Sequence, residues 1–200
     1  SCALVTDAGT PAISDPGEDL VRLCVENGVE VRAIPGCCAA VNALAISGLP
    51  TGRFTFEGFL TGTKKSRREH LDSLKDETRT MIFHEAPHKL RTTLNDLTEA
   101  FGLDRRISLC REMTKLHEEV IRCTLAEAVA YYEENSPKGE YVLVVAGAAP
   151  KTGAAVTLED GVAQVLALKE QGMRLKDAAK EVAEHTGLSK NELYAAALDR

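Results

Sequence analysis

The stretch Leu4-Val5-Thr6-Asp7-Ala8-Gly9-Thr10-Pro11-Ala12-Ile13-Ser14-Asp15-Pro16-Gly17 decides how the chain begins to fold. Residues 2–5 are apolar and predict a short buried strand, and the Gly/Pro-rich residues after them predict a loop. Asp15 suits a helix N-cap, with Pro16 at the first helical position and Glu18 three residues after the cap. Such a loop presents backbone N–H groups at a helix N-terminus, so it is either a site for a small polar or anionic ligand or a structural turn. It contains neither of the two common glycine-rich nucleotide fingerprints.

The following residues continue the same alternation. A helix is predicted over about residues 16–27, with Gly28 as its C-cap, then a strand over 30–34 and a helix of small residues over 37–47. Alternating strands and helices indicate an α/β domain with a largely parallel sheet. Ligands bind at the carboxyl ends of the strands in such sheets, so the loops at 7–13 and 35–39 are expected to share one cleft.

Composition limits the class of protein. The 200 residues are 44% hydrophobic and 27% charged, as in ordinary globular proteins, and the net charge of −6 means that any RNA contact must come from a local basic patch. No apolar run reaches the roughly 18 residues of a membrane span. The six cysteines form no C-x-x-C, and most lie in apolar contexts, which predicts a reducing cytoplasm.

A basic stretch follows the predicted strand at residues 54–59. It contains Lys64, Lys65, Arg67 and Arg68, and a capping box of Ser66 and Glu69 predicts a helix that begins there and runs to about residue 75. Basic residues at a helix N-terminus oppose the macrodipole, so stability does not require them. The stretch is either an RNA phosphate contact or a solvated loop and first turn.

The residues His84-Glu85-Ala86-Pro87-His88 have the residue types of the H-E-x-x-H zinc motif at the right spacing. That motif needs one continuous helix, whereas residues 80–84 predict a strand and Pro87 would interrupt a helix. We therefore expect no zinc here, but either a polar loop at a strand end or a lining of the cleft. Pro87 is expected to start a helix that Gly102 ends.

The rest of the chain predicts a sheet followed by helices. Strands over 106–112 and 119–124 form a hairpin whose connection offers Arg111, Glu112 and Lys115 either for substrate contact or as ordinary surface charges. The apolar residues 141–146 suit a sheet centre. Three helices after residue 156 resemble a helix-turn-helix, and six Lys/Arg against eight Asp/Glu give them a charge of −2. That charge fits a packing or subunit-contact module as well as RNA docking.

Six segments resemble one known family in composition and in order: D-A-G-T-P-A-I-S-D-P-G (7–17), I-P-G-C-C-A-A-V-N-A-L-A-I-S-G-L-P-T (34–51), F-T-F-E-G-F-L (54–60), F-H-E-A-P-H (83–88), R-E-M-T-K-L-H-E-E (111–119) and K-G-E-Y-V-L-V (138–144). Together they resemble the ribosomal RNA small-subunit methyltransferase I family of the tetrapyrrole (corrin/porphyrin) methylase superfamily. Members begin with a further strand and loop of T-P-I-G-N-L type. We therefore expect that this chain starts inside the first domain, binds cofactor weakly by itself and is nearly inactive.

The resemblance implies a fold and a domain plan. It implies two α/β domains of the tetrapyrrole methylase type with the cofactor cleft between them, plus a small C-terminal helical domain of helix-turn-helix type. The expected boundaries are residues 1–52 for the remainder of the N-terminal domain and 53–147 for the second domain. A linker at 148–156 and the helical domain at 157–200 complete the plan.

The resemblance also implies an activity. It implies transfer of a methyl group from S-adenosyl-L-methionine to the ribose 2′-hydroxyl of a decoding-site cytidine in 16S rRNA of the small ribosomal subunit, by a cytoplasmic homodimer. No metal is needed, because the sulfonium of the cofactor supplies a good leaving group. The alternatives are a tetrapyrrole (corrin/porphyrin) C-methyltransferase and a non-catalytic RNA-binding module. The basic stretch and the helical tail favour RNA over a small macrocycle.

Candidate site residues follow from the matched motifs. The cofactor is expected at Asp7, Gly9, Thr10, Pro11, Ile13, Cys38, Ala39, Phe83, His84 and Ala146. Family members usually have Ser at the place of Cys38, so a contact there is expected through the backbone. RNA is expected at Lys64, Lys65, Arg67, Arg68, Arg111 and Lys115. The catalytic candidates are Glu85 and Glu112, with His84 and Lys115 as further possible bases.

Overall fold

The computed structural model describes residues 2–60, 62–149 and 157–198, which fall into two compact units, Ser1–Ala148 and Ala149–Arg200. The first unit contains helices α1 (Glu18–Glu26), α2 (Ala39–Ile46), α3 (Lys64–Ser73), α4 (Leu90–Phe101) and α5 (Leu125–Glu134). Its strands are β1 (Phe54–Phe59), β2 (Thr80–Glu85), β3 (Arg106–Arg111), β4 (Glu119–Thr124) and β5 (Tyr141–Val145). No helix in the described residues is long and apolar enough to cross a membrane.

The five strands form one mixed sheet in the order β1-β2-β5-β3-β4. Only β1 and β2 are parallel, and the other neighbouring pairs are antiparallel. The central position of β5 and the β3–β4 hairpin confirm the sequence predictions. All five residues of β5 are buried, as expected for a strand covered on both faces.

Alternation of side chains gives the sheet two faces. Met81, Phe83 and Leu143 belong to the core beneath α3, α4 and α5, and we call this side the α4 face. Ile82 and Val144 pack against Ala43 on the other side, which we call the α2 face. Each face buries apolar side chains because successive residues of a strand point to opposite sides.

The predictions for the start of the chain were partly wrong. Residues 2–5 and 30–34 form no strand and pair with no strand in the described part of the chain, and Val5 and Ile34 are 80% and 86% exposed. Apolar residues form a strand only when a neighbour accepts and donates the ladder hydrogen bonds. The expected parallel sheet over residues 1–52 is therefore absent from this described segment. Helix α1 forms as predicted, but its N-cap is Gly17 (φ 136°) rather than Asp15.

Capping hydrogen bonds set the start of two helices. Helix α5 begins with a capping box of Thr124 and Glu127. The helix predicted to begin at Ser66 instead begins at Lys64, because the Thr63 hydroxyl accepts a hydrogen bond from the Ser66 N–H at 3.3 Å. The basic residues therefore lie on the first turns of α3 rather than on a loop.

The second unit contains the three predicted helices, α6 (Leu158–Glu170), α7 (Leu175–Thr186) and α8 (Lys190–Leu198). Val162, Val165, Ala179 and Val182 are buried in its core, as the helical spacing predicted. A Cβ added to Gly161 would lie 2.7 Å from both Leu188 and Leu193, so this glycine permits close packing. Of the predicted linker, residues 150–156 lie outside the described residues. The expected boundary at residue 52 stays a prediction.

Candidate active site

The two loops that the sequence assigned to one cleft are in contact. The Thr10 hydroxyl donates a hydrogen bond to the Cys37 carbonyl oxygen at 2.8 Å. The first loop also passes β1, because a Cβ built on Gly58 would lie 3.7 Å from Ser14 Oγ. Asp7, Gly9 and Ile13 are exposed on this loop, and Pro11 is half-buried.

The second loop ends at the N-terminus of α2. Cys38 is the N-cap, with extended backbone angles, and its thiol makes no capping hydrogen bond. The first turn contains no acidic side chain, and Ala39 is exposed. The first-turn N–H groups of a helix have no partner within the helix, so they suit the carboxylate or the hydroxyls of a bound cofactor. This arrangement fits S-adenosylmethionine through backbone contacts at Cys38 and Ala39.

The direction of α2 shows which edge of the sheet this loop approaches. Arg122 donates hydrogen bonds to the Ile46 and Ser47 carbonyls, which fixes the C-terminus of α2 above the middle of β4. The Cys110 thiol lies 3.9 Å from the Ala43 carbonyl oxygen, in the middle of α2, and Cys110 is in register with Val142 and through it with His84. The N-terminus of α2 is therefore at the edge where β2 and β3 end, which we call the His84 edge.

Two of the predicted cofactor residues, Ala146 and Phe83, do not lie exposed at the His84 edge. Met81 pairs with Val145 and Glu85 pairs with Tyr141, so β2 and β5 run in opposite directions. Val142 is the partner of His84, so Ala146 lies four residues further along β5, toward the opposite edge of the sheet. Phe83 is fully buried in the core of the α4 face, so its ring is unavailable to a ligand.

His84 points to the α2 face and lies between two aromatic rings. Its ring centroid is 5.1 Å from that of Phe56 and 5.5 Å from that of Phe59, both in edge-to-face orientation. Its Nε2 atom is buried and has no hydrogen-bond partner among the described residues. Burial lowers the pKa of the imidazole, although the charge of Glu140 acts in the opposite direction. The ring is therefore neutral at neutral pH.

This lowered pKa predicts a pH dependence of stability. The unfolded chain binds a proton at His84 below about pH 6.5, whereas the folded chain binds it only at lower pH, so stability is lost as the pH falls below about 6.5. One group contributes at most about 1.4 kcal/mol per pH unit. Urea unfolding at pH 7.5, 6.5 and 5.5 should show a smaller loss for His84→Phe than for the wild type. Equal losses in both proteins would contradict the assignment.

Glu85 points to the α4 face, away from the two N-terminal loops. It is 3% exposed, accepts a short hydrogen bond from the Thr93 hydroxyl and accepts another from the Ala86 N–H at 2.9 Å. A carboxylate that is buried and held by two donors is a structural anchor. The structure therefore argues against the catalytic role that the sequence suggested for Glu85.

Glu112 and Lys115 hold the connection between β3 and β4. Glu112 Oε1 accepts hydrogen bonds from Lys115 Nζ at 3.0 Å and from the Glu140 N–H at 2.9 Å, and Lys115 Nζ also lies 2.7 Å from Glu140 Oε2. The hydrogen bond from the Glu140 N–H, followed by that from Lys115, lowers the pKa of Glu112. The Glu140 and Glu112 carboxylates raise the pKa of Lys115. Both shifts favour the charged forms, so Lys115 is a poor base and Glu112 a weak one.

Arg111 is half-buried beside the same connection. Its Nε atom lies 3.1 Å from Glu119 Oε2, but the angle is too poor for a hydrogen bond, and the atom is buried without another partner in the described residues. Arg111 therefore stands beside the connection as one half of an ion pair with Glu119.

The basic residues of α3 have two different environments. Lys64, Lys65 and Arg68 are exposed, and the latter two form ion pairs with Glu69 (3.8 Å) and Glu99 (2.7 Å). The side chain of Arg67 is only 12% exposed. It donates to Asp96, to Thr93 and to the Leu60 carbonyl. Arg67 therefore stabilises the packing of α3 on α4, and its donors are not available for RNA.

The H-E-x-x-H sequence does not form the single helix that a zinc motif of this type requires. His84 and Glu85 belong to β2, and His88 lies in the turn before α4. Across residues 2–60, 62–149 and 157–198, no three His, Cys, Asp or Glu side chains are placed to hold a metal ion. The six cysteines are free thiols.

Comparisons with known proteins agree with this fold and sequence. Residues 2–129 match the family model of the tetrapyrrole (corrin/porphyrin) methylases, and residues 156–200 match that of the RsmI C-terminal HTH domain. The chain also resembles two solved structures, the methyltransferase CobJ (TM-score 0.54, 22% identity, 70% of this chain and 62% of that chain) and cobalt precorrin-4 methyltransferase CbiF (TM-score 0.50, 17% identity, 69% and 61%). At these identities the likeness shows the fold alone.

Curated relatives are more similar. Proteins named ribosomal RNA small subunit methyltransferase I are 46% identical in Synechocystis sp. (98% of this chain, 71% of the relative) and 44% identical in Halalkalibacterium halodurans (96% and 67%). The protein of that name in Mycobacterium tuberculosis is 45% identical (98% and 67%). The chain therefore belongs to the ribosomal RNA small subunit methyltransferase I family of the tetrapyrrole methylases.

Proposed function

We propose that this protein transfers a methyl group from S-adenosylmethionine to the ribose 2′-hydroxyl of a decoding-site cytidine in the RNA of the small ribosomal subunit. The observation that carries the proposal is the 42–46% identity to methyltransferases of small-subunit rRNA over nearly the whole chain. The match of residues 156–200 to the C-terminal domain of that family supports it further.

Methyl transfer depends mainly on aligning the ribose oxygen, the methyl group and the sulfur, because the methyl group is already activated by the sulfonium. Bound S-adenosylmethionine supplies a methyl group on a positively charged sulfur. The sulfur leaves as a neutral thioether when the methyl group is transferred. The loops at Thr10 and Cys37–Ala39 would hold it at the His84 edge, through backbone N–H groups and the Thr10 hydroxyl. Holding the ribose oxygen in line with the methyl group can supply a large part of the rate enhancement.

The proton of the ribose hydroxyl must also be removed. Glu85 is anchored on the far face of the sheet, and the pKa shifts of Glu112 and Lys115 favour their charged forms. Of the four side chains that the sequence offered, His84 is thus the remaining candidate. Its neutral ring lies at the edge where the two loops meet.

Substrate and compartment follow from the same proposal. The exposed cations Lys64, Lys65 and Arg68 and the half-buried Arg111 would contact RNA phosphates, while Lys115 is held by two carboxylates. Ribosomal subunits place the enzyme in the cytoplasm, and a homodimer is the assembly we propose. The rival, methylation of a corrin or porphyrin carbon, rests on solved structures at 22% identity or less.

Cofactor binding can be tested by a thermal melt with S-adenosylhomocysteine and with ATP as the control. A ligand at 100 times its dissociation constant stabilises the folded state by about 2.7 kcal/mol, which raises the melting temperature by about 5 °C or more. Thr10→Val, which removes the hydrogen bond between the loops, should reduce the shift. Thr92→Val, an exposed position on α4, should not. An equal shift with ATP, or none with S-adenosylhomocysteine, would contradict the proposed cofactor site.

Methyl transfer is tested with tritiated S-adenosylmethionine and small ribosomal subunits, with the enzyme in excess so that slow turnover is visible. The expected product resists alkali at one linkage, because a 2′-O-methyl group blocks hydrolysis of the adjacent phosphodiester. Label recovered in mononucleotides after alkaline hydrolysis would instead indicate a base methyltransferase. Label in uroporphyrinogen but not in RNA would favour the rival.

A further inference from the structure

An exposed aromatic row lies on the α2 face of the edge strand β1. Phe54, Phe56 and Phe59 are 42%, 39% and 44% exposed, and they are three of the five phenylalanines in the chain. Helix α2 packs on β2 and β5, so it does not bury these rings. Several large exposed apolar side chains on one face usually mark a binding surface.

A β-bulge creates this row. Phe56 pairs with Ile82, Gly58 with Phe83 and Phe59 with His84, so the strand gains one residue between Phe56 and Gly58. In a regular strand, residues 56 and 59 would point to opposite faces. The bulge puts both rings on the α2 face, beside the His84 ring. Gly58 has φ +63°, a conformation that suits glycine.

The row adjoins the proposed cofactor loops. Ser14, at the end of the first loop, lies beside Gly58, and the loop in turn is joined to the α2 N-terminus through Thr10. Arg53 comes directly before β1, and the exposed Lys64 and Lys65 follow it closely in sequence. Exposed aromatic rings are a surface on which single-stranded RNA stacks its bases, while cations elsewhere on the protein contact its phosphates.

We infer that Phe56, Phe59 and His84 form a stacking site for an RNA base that is turned out of its helix, and that this site holds the attached ribose next to the cofactor loops. The inference rests on the proposed function and specifies how the substrate is recognised. It also accounts for His84 Nε2, whose buried, unpartnered nitrogen can hydrogen-bond to the base or ribose.

The absence of tryptophan from the sequence provides a direct test. Phe59→Trp introduces a single indole into the proposed site, and Leu103→Trp introduces one at a 58% exposed loop position between α4 and β3. An eight-residue oligocytidylate should quench the fluorescence of the first variant, with the same midpoint as binding measured by anisotropy. It should leave the second unchanged. A blunt duplex RNA of equal length, whose bases are already stacked, should quench neither.

Removal of the rings is the second measurement. Phe56→Leu and Phe59→Leu keep apolar side chains but lose the stacking surface, and each should weaken oligocytidylate binding by about tenfold. Leu103→Ala should have no effect. Melting curves of the variants establish that they are folded.

Each other outcome overturns the inference. Equal quenching of both tryptophans, or binding without quenching of Phe59→Trp, would place the RNA elsewhere. A blue shift of the Phe59→Trp emission that grows with protein concentration in the absence of RNA would show that a second copy covers this face.

Methyl transfer to small subunits by the wild-type protein separates the failure of the stacking site from the failure of the proposed function. If transfer occurs but the leucine variants are unaffected, only the stacking site fails, and if the wild type transfers nothing, the proposed function fails.

Discussion

Replacing Arg67 with alanine should lower the free energy of unfolding of the first unit by about 2–3 kcal/mol, less than for a fully buried ion pair because the Asp96 side chain is 27% exposed. The guanidinium joins Asp96 of α4, the Leu60 carbonyl and the Thr93 hydroxyl, and Thr93 in turn donates to the buried Glu85. Without Arg67, a carboxylate and a carbonyl lose their donors in a half-buried place. Unfolding in guanidinium chloride, followed by circular dichroism, measures this change in stability.

The matched control is the next residue. Arg68→Ala removes an exposed side chain whose ion pair with Glu99 contributes at most about 1 kcal/mol to stability. This variant should instead weaken binding to small ribosomal subunits and reduce the salt dependence of binding by about one counterion. If Arg67→Ala unfolded like the wild type, the buried network would not stabilise the fold.

The difference between these two arginines was partly predictable. Four basic residues within five positions look like one patch in the sequence. However, Arg67 precedes Leu71 by four residues, so the two share a helix face, and Leu71 is 2% exposed. Helical spacing could therefore have separated Arg67 from its exposed neighbours. The acceptors at Leu60 and Asp96 could not be found in this way, because they come from other elements.

Strand prediction succeeded or failed according to the presence of a neighbour. The five strands from Phe54 to Val145 were all predicted, and in the structure each pairs with another strand of the same sheet. Residues 2–5 and 30–34 have the same apolar character but no neighbouring strand in the described residues. A local pattern reports the preference of a segment, whereas the ladder hydrogen bonds depend on what lies beside it.

The candidate site shows the same limit. The sequence predicted that the two N-terminal loops meet, because loops at equivalent ends of consecutive units tend to do so. It also grouped Ala146 with His84, whereas the antiparallel pairing of β2 with β5, which the sequence does not reveal, places them four residues apart along β5. The bulge that turns Phe59 beside His84 was also unpredicted, although Gly58 inside an aromatic strand was the signal for it.

Replacing Gly147 with alanine should destabilise the first unit by about 3 kcal/mol or more. Gly147 directly follows Ala146, which the resemblance assigned to the cofactor site. In the structure, an added Cβ would overlap the Thr78 carbonyl oxygen and would lie 2.8 Å from that of Arg79. These are backbone atoms, and the hydrogen bond from the Ala148 N–H to the Glu77 carbonyl at 2.6 Å holds the two segments together. The backbone cannot move apart without losing that bond.

Gly52→Ala is the control, since an added Cβ there meets no atom within 4 Å and stability should change by less than about 0.5 kcal/mol. Unfolding curves of both variants and their affinity for S-adenosylhomocysteine distinguish the two roles of Gly147. A less stable protein whose folded fraction binds the ligand normally would show that the glycine serves the packing of β5 against the Thr78 segment. A stable protein with weakened binding would instead return Gly147 and Ala146 to the cofactor site, and the assignment of that site to the His84 edge would then be wrong. The antiparallel pairing of β2 with β5 favours the first result, because Ala146 lies four residues along β5 from Val142, the partner of His84.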